Sequence, residues 1–210
     1  MHMIQPTNDE INRFINQFQS YGSQNDSDGL MRTEMLQDFY NSLVDKYIQE
    51  LREHNNGYAT FVDKNGNQLQ GVFIKNGTQK KRISLNDCTI HIRLRQIRCT
   101  ELHMCSTIFI SLLIPGSSYL TIDLADVILS ESVNEVLDHS TNPDITPRII
   151  RYTRKKWIET WRNIVESDLH LQLRKREDVL EISDQCLKTL NRQFFQNRRT
   201  PLFLVSAEAA

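Results

Sequence analysis

The apolar positions of this chain change period twice. Ile11, Phe14, Ile15 and Phe18 form one stripe, and Met35, Leu36, Phe39, Tyr40, Leu43, Val44, Tyr47, Ile48 and Leu51 form a longer one. A spacing of three and four gathers such residues on one face of an α-helix, which predicts helices over about 8–20 and 31–54. Thr7 followed three residues later by Glu10 marks a capping box at the first helix. Asn55-Asn56-Gly57 stops the second, with Gly57 suited to the left-handed cap. The polar run Tyr21–Gly29 between them reads as a flexible linker.

From residue 58 the pattern alternates. Tyr58–Asp63 and Gln68–Lys75 read as strands around Lys64-Asn65-Gly66-Asn67, whose Asn-Gly pair suits a tight hairpin. Asn76-Gly77 marks another turn, and Arg82–Leu85 starts a further strand. Over Cys88–Gln96, Ile90, Ile92 and Leu94 alternate with His91, Arg93 and Arg95, the mark of a strand with one face on a core. Thr107–Ile114 is nearly all apolar and is expected to be the most buried strand, and Tyr119–Leu124 closes the series. Short turns between such strands imply an antiparallel meander of five to six strands over about 58–124.

Helical spacing returns over Leu124–His139. Thr146 then offers an N-cap and Pro147 the first helical position, predicting a helix over about Pro147–Asp168, with a last one over about 178–197. The expected fold class is α+β: an antiparallel β-meander of five to six strands with helices from both ends of the chain packed on it. The expected division is an amphipathic helix and linker over 1–29 and a single α+β domain over 30–210, its C-terminal helices spanning about 125–197.

Composition narrows the function classes. In 210 residues, 39% are apolar and 24% charged, a balance that excludes a disordered chain. The formal net charge of −1 excludes a whole-molecule attraction to nucleic acid or membrane. The four cysteines form no disulfide framework, and free thiols suit the cytoplasm. The opening residues are too polar for a signal peptide, and His2 is given no functional weight. The longest apolar run, Ile108–Pro115, is far short of the roughly 20 residues a membrane span needs.

The candidate chemistry is sparse. Cys88, His91, Cys99, His103 and Cys105 offer zinc-type ligands, but without the paired knuckle spacing of strong zinc sites. Cys88 and His91 fall on opposite faces of their strand, so no metal or cofactor is expected there. No nucleophile elbow, zinc-protease motif or phosphate-cradling glycine loop occurs. An enzyme would need a site assembled by the fold from His91, His103 or Cys105. Glu131/Glu135 and Glu177/Glu181, spaced four apart, read as solvated helix faces.

Charge is segregated instead. Residues 79–100 hold Lys80, Lys81, Arg82, Arg93, Arg95 and Arg98 against Asp87 alone. Residues 148–162 hold Arg148, Arg151, Arg154, Lys155, Lys156 and Arg162 against Glu159, with Trp157 and Trp161 interleaved. Basic residues among aromatics are used on nucleic acid, which makes patches 80–98 and 148–162 an alternative interface. Residues 1–54 carry nine acids against four bases, and residues 119–145 six acids and no base. Segregated faces of both signs suit a specific protein partner. The narrow first-helix stripe must dock on its own body, a second copy or a partner.

The acidic helical start, the hairpin YATFVDKNGNQLQGVFIK, the meander through TIFISLLI and the Trp-bearing helical end resemble small adaptor proteins of bacterial type IV secretion, of the Dot/Icm coupling complex. That resemblance implies a non-enzymatic protein. It would work with other small secretion chaperones on the tail of a coupling ATPase and recruit effectors for export. The expected function is therefore that of an adaptor or chaperone binding other polypeptides, with no small-molecule substrate. Its expected anchors are Phe14, Phe18, Trp157 and Trp161, with Arg151, Arg154 and Lys155 as a charged rim.

Overall fold

The computed structural model describes residues 2–4, 6–20, 29–63, 67–85, 88–113, 118–121, 123, 127, 130, 132–139 and 145–156. The chain divides into two compact units, one of Met1–Arg82 with Ile90–Ile110, the other of Ile83–Thr89 with Ser111–Ala210.

The first unit begins with a short strand, β1 (His2–Ile4), and two helices, α1 (Asn8–Ser20) and α2 (Leu30–His54). Thr7 and Glu10 close the expected capping box. The Thr7 N–H and hydroxyl donate to Glu10 Oε2 at 2.8 and 2.9 Å, and the Glu10 N–H returns a bond to Thr7 Oγ1 at 3.2 Å. Those bonds, the backbone one first, hold the Glu10 carboxyl below its ordinary pKa. At the far end of α2 the Gly57 N–H bonds the Leu51 carbonyl, and Gly57 takes φ +76°, the left-handed conformation that its lack of a Cβ permits.

Four antiparallel strands follow: β2 (Tyr58–Val62), β3 (Gln68–Ser84), β4 (Thr89–Cys99) and β5 (Met104–Ile110). β2 and β3 pair from Tyr58↔Val72 to Val62↔Gln68, as the alternation predicts. β1 adds to β5 in parallel, with His2 opposite Ile108, giving the order β1-β5-β4-β3-β2. β1 and β2 stand at opposite ends of that order. Even so, the His2 and Phe61 rings meet edge-on, with centroids 5.9 Å apart. Only a strongly coiled sheet brings its two ends so close. The core of this unit holds Ile11, Leu36, Tyr40, Val44 and Ile48 from the helices and Phe61, Ile92, Ile97 and Ile108 from the strands.

In the second unit Val127, Val136, Ile145 and Ile150 are buried together, with Tyr119 and Val133 packed against them. Val133 and Val136 come from α3 (Val133–His139) and Ile150 from α4 (Pro147–Lys156). Each helix is capped from its own sequence: the Glu135 N–H donates to Ser132 Oγ at 3.0 Å, and the Ile149 N–H to Thr146 Oγ1 at 3.4 Å.

The meander differs from expectation in three places. Asn76-Gly77 is no turn: one strand of 17 residues runs through it, and Gly77 absorbs the step with φ +85°. Tyr119–Leu124 is no described strand. After a single bridge, Leu113↔Leu120, the Leu120 N–H bonds the Asp123 carboxylate, and Thr121 and Asp123 are helical. A carboxylate reaching back three residues starts helices rather than strands. The meander among the described residues thus has four strands, not five to six, and the fifth strand of the sheet comes from ahead of α1. The expected helix 178–197 lies outside the described residues, as do the linker Tyr21–Gly29 except for Gly29, which caps α2, and the expected helix beyond Lys156. α1, expected as a piece set apart by that linker, falls within the first unit.

Candidate interaction surface

α4 sorts its side chains by helical angle. Ile150 and Thr153 are fully buried, while Arg148, Arg151, Tyr152 and Lys155 are exposed. Positions 148, 151, 152 and 155 are spaced three and four, so they form one outward stripe. Among the described residues the side chains of Arg148 and Arg151 enter no hydrogen bond or ion pair. The first turn of α4 holds no acid. Cations beside a helix N-terminus oppose its dipole, at about 0.3–1 kcal/mol each when exposed. Arg148, in that first turn, therefore does not serve the stability of its own helix.

Arg154 has another task. Its Nε donates to the Val127 carbonyl at 2.8 Å, and its Nη2 to the carbonyls of Ser130 and Ser132 at 2.5 and 3.0 Å. It ties α4 to the segment before α3, so its expected place on a binding rim is taken by a structural clamp. Arg151 and Lys155 remain on the surface. Trp157 and Trp161 lie outside the described residues.

Phe14 and Phe18 sit inside the first unit. Each is 6% exposed. The Phe14 ring stacks on Phe39 with centroids 4.4 Å apart and touches Phe18 at 5.1 Å. Of the three ways to satisfy the α1 stripe, the structure takes the internal one. A partner reaches these rings only if α1 leaves α2.

The basic stretch 80–98 is thinner on the surface than in the sequence. Lys80, Arg82, Arg93 and Arg98 are exposed. Lys81 is buried, with Nζ 5.9 Å from the centre of the Phe109 ring, and burial lowers its pKa to about 8. Arg95 is turned onto α2, where it pairs with Asp45.

The described cysteines and histidines form no metal-holding group. His91 is exposed on β4. Cys99 is buried against Gly71, where an added Cβ would lie 2.4 Å from its sulfur. His103 is in the β4–β5 turn at φ +51°, and exposed Cys105 accepts a bond from Asn76 Nδ2 at 3.3 Å. Cys88 is half-buried. Among the described residues no three His, Cys, Asp or Glu side chains are placed to hold a metal ion. No described helix is long and apolar enough to cross a membrane.

Two surface features escape the sequence reading. Tyr152, 39% exposed, completes the α4 stripe, a place its spacing from Arg148 already assigns. Tyr58, Val72 and Ile74 leave apolar side chains on the β2–β3 surface, with Tyr58 directly opposite Val72. Alternation gives a strand two faces without saying which one a core covers. No protein-family model, curated protein or solved structure matches this chain.

Proposed function

We propose that this chain is a non-enzymatic adaptor that works by binding other proteins. The observation that carries the reading is the outward stripe Arg148, Arg151, Tyr152 and Lys155 on α4. Arg148, in the first turn, opposes the helix dipole, and the Arg148 and Arg151 side chains make no hydrogen bond or ion pair among the described residues. Arginine and tyrosine are the residues that protein interfaces enrich, and an exposed cation awaiting an acid gives specificity and fast encounter. The scatter of His91, Cys99, His103 and Cys105 favours this reading over an enzyme assembled from them.

The particular setting we propose is that of an LvgA-like adaptor of a Dot/Icm type IVB coupling complex in the cytoplasm. There the chain would join small secretion chaperones and the tail of a coupling ATPase and recruit effectors. The support is the resemblance in layout. Purification of the tagged chain from its native cell tests the reading. Stoichiometric companions identified by mass spectrometry are expected, and secretion subunits among them in this setting. A chain recovered alone contradicts it.

Nucleic acid is the second reading, favoured by the same mixture of cations and an aromatic. Its mark is an affinity that falls steeply with salt as counterions are released. No retention on a polyanion column at low salt removes it.

A further inference from the structure

We infer that two copies of this chain join through the outer edge of β2, strand to strand about a two-fold axis beside Thr60. The inference stands independently of the adaptor reading and of α4. β2 is the last strand of its sheet. The Phe73 N–H donates to the Gly57 carbonyl at 3.1 Å and the Asp63 N–H to the Asn67 carbonyl at 3.0 Å. The odd-numbered residues between them therefore spend their backbone groups on β3, in the register Ala59↔Gly71 and Phe61↔Leu69. The even-numbered residues turn theirs to the outer edge, where the Tyr58 N–H donates to the Asn55 carbonyl at 2.8 Å. Among the described residues, the Tyr58 carbonyl and both backbone groups of Thr60 and Val62 have no strand to bond. β1 meets β2 through the inward rings of His2 and Phe61 and forms no ladder with it.

The sequence of this edge selects a second copy. Sheet edges are commonly protected by lysine, proline or an inward charge, and Tyr58–Val62 (YATFV) has none of these. When β2 lies antiparallel on itself with Thr60 opposite Thr60, the two threonines exchange two bonds. Each Val62 N–H then reaches the other copy's Tyr58 carbonyl, which adds two more. The occupied donor, the Tyr58 N–H, falls at the ends of that ladder. A slip of two residues drops Val62 or Tyr58 from it. Side chains match in the same register. On the outer face each Tyr58, already opposite Val72, also meets the other copy's Val62, an aromatic beside a β-branched residue. On the inner face Ala59 meets Phe61, small against large. Tyr58, Val72 and Ile74 lie beside the edge at 45, 43 and 52% exposure, so pairing sets two apolar strips side by side. No charged side chain lies within the ladder, and a net charge of −1 adds little repulsion between copies.

Sedimentation velocity of the full chain across the micromolar range tests the inference. The mass is expected to rise with concentration toward twice the 24.6 kDa of the chain. Thr60→Lys places two like charges face to face on the axis, and should weaken the dimer at least tenfold. Thr60→Pro should do the same, because the N–H it removes serves no bond to β3. Circular dichroism of both variants should match the parent. A cross-link reads the register without relying on either variant. With a copper oxidant and in a Cys105→Ser background, Thr60→Cys should give a reducible covalent dimer. Tyr58→Cys should give none, since the two copies of that position lie about 14 Å apart along the strands.

A single-chain mass at every concentration overturns the inference and leaves the edge to a strand of another protein. A dimer that persists in both folded Thr60 variants also overturns it, as does a cross-link at 58 without one at 60.

Discussion

The hydroxyl of Tyr40 on α2 donates to the carbonyl of Ile108 on β5 at 2.9 Å, and accepts the N–H of Arg95 on β4 at 2.7 Å. The β4–β5 ladder runs from Cys99↔Met104 to Gln96↔Thr107, and at the next step a side chain replaces the strand-to-strand bond. Gln37 extends the substitution by one turn of α2. Its Oε1 accepts the Arg93 N–H at 2.7 Å and its Nε2 donates to the Arg93 carbonyl at 3.1 Å. Asp45 completes it by pairing with the Arg95 guanidinium. α2 thus satisfies the edge of β4 that β5 leaves. At the same place the buried positions of β4 change from Ile90, Ile92 and Leu94 to Ile97 and Cys99, a slip of one residue such as a β-bulge produces.

Tyr40→Phe removes one hydroxyl and leaves a part-buried N–H and a buried carbonyl without it. A loss of about 1–3 kcal/mol is expected, from the penalty for unsatisfied polar groups. Burial also raises the Tyr40 pKa to about 12, so its proton stays in place through neutral pH. Urea denaturation of the variant checks the loss, and an unchanged midpoint would contradict this role.

Gly71 stands where β3 passes Cys99. A Cβ there would be 2.4 Å from the Cys99 sulfur and 3.0 Å from Leu102 Cδ1. Gly71→Ala is expected to destabilise by about 1–3 kcal/mol through overpacking. Adding Cys99→Ala should return part of that loss, because it removes the atom that clashes. Denaturation of both variants measures the coupling, and simple additivity would show that the clash is relieved elsewhere.

Phe14→Ala empties a buried, stacked position between α1 and α2, and truncations of this kind cost about 3–5 kcal/mol. Amide exchange is the suitable readout: faster exchange across Asn8–Ser20, with β4 and β5 less affected, is expected. If exchange in α1 does not change, the helix owes its order to something other than this contact.

How far these contacts were legible in the sequence depends on their range. The Thr7–Glu10, Gly57 and Thr146-Pro147 signals all act within one turn, and each holds. The Asn76-Gly77 pair marks positive φ correctly, but a glycine at positive φ serves a continuing strand as well as a turn. Tyr40 is 55 residues from Arg95 and 68 from Ile108, and no local period announces that meeting. β1 is three residues long and pairs with a strand a hundred residues away, below what alternation detects. For the site, Pro147 sets the helical phase and places Arg148, Arg151 and Lys155 outward. Arg154 sits at the margin of the stripe, and only the carbonyls it meets decide its role. The Phe14 and Phe18 pattern was equally consistent with a partner or a core, because an amphipathic stripe says only that something covers it.

His2 provides the pH dependence. Its Nδ1 lies 2.9 Å from the Tyr47 hydroxyl, and its Nε2 is buried without a hydrogen bond. Burial, and secondarily the nearby terminal ammonium, lower its pKa from 6.5 to about 3. The folded state therefore holds His2 neutral, while the unfolded chain takes up a proton near pH 6.5. Its contribution is complete above about pH 6.5 and is lost progressively as the pH falls toward 3. Urea midpoints should drop between about pH 7.5 and 5.5, and that slope should flatten in His2→Phe. Equal slopes in the two proteins would remove His2 as the cause.

The central claim is that this chain acts by holding another protein, and that α4 is where it holds it. Parallel affinity purification of the tagged parent and of Arg148→Glu/Arg151→Glu from native cells, with companions quantified by mass spectrometry, tests it most directly. The account predicts a companion at near-equal stoichiometry with the parent and at least a tenfold loss of it with the folded variant. A parent chain that emerges without companions would contradict the claim, and a companion retained in full by the variant would remove α4 from it.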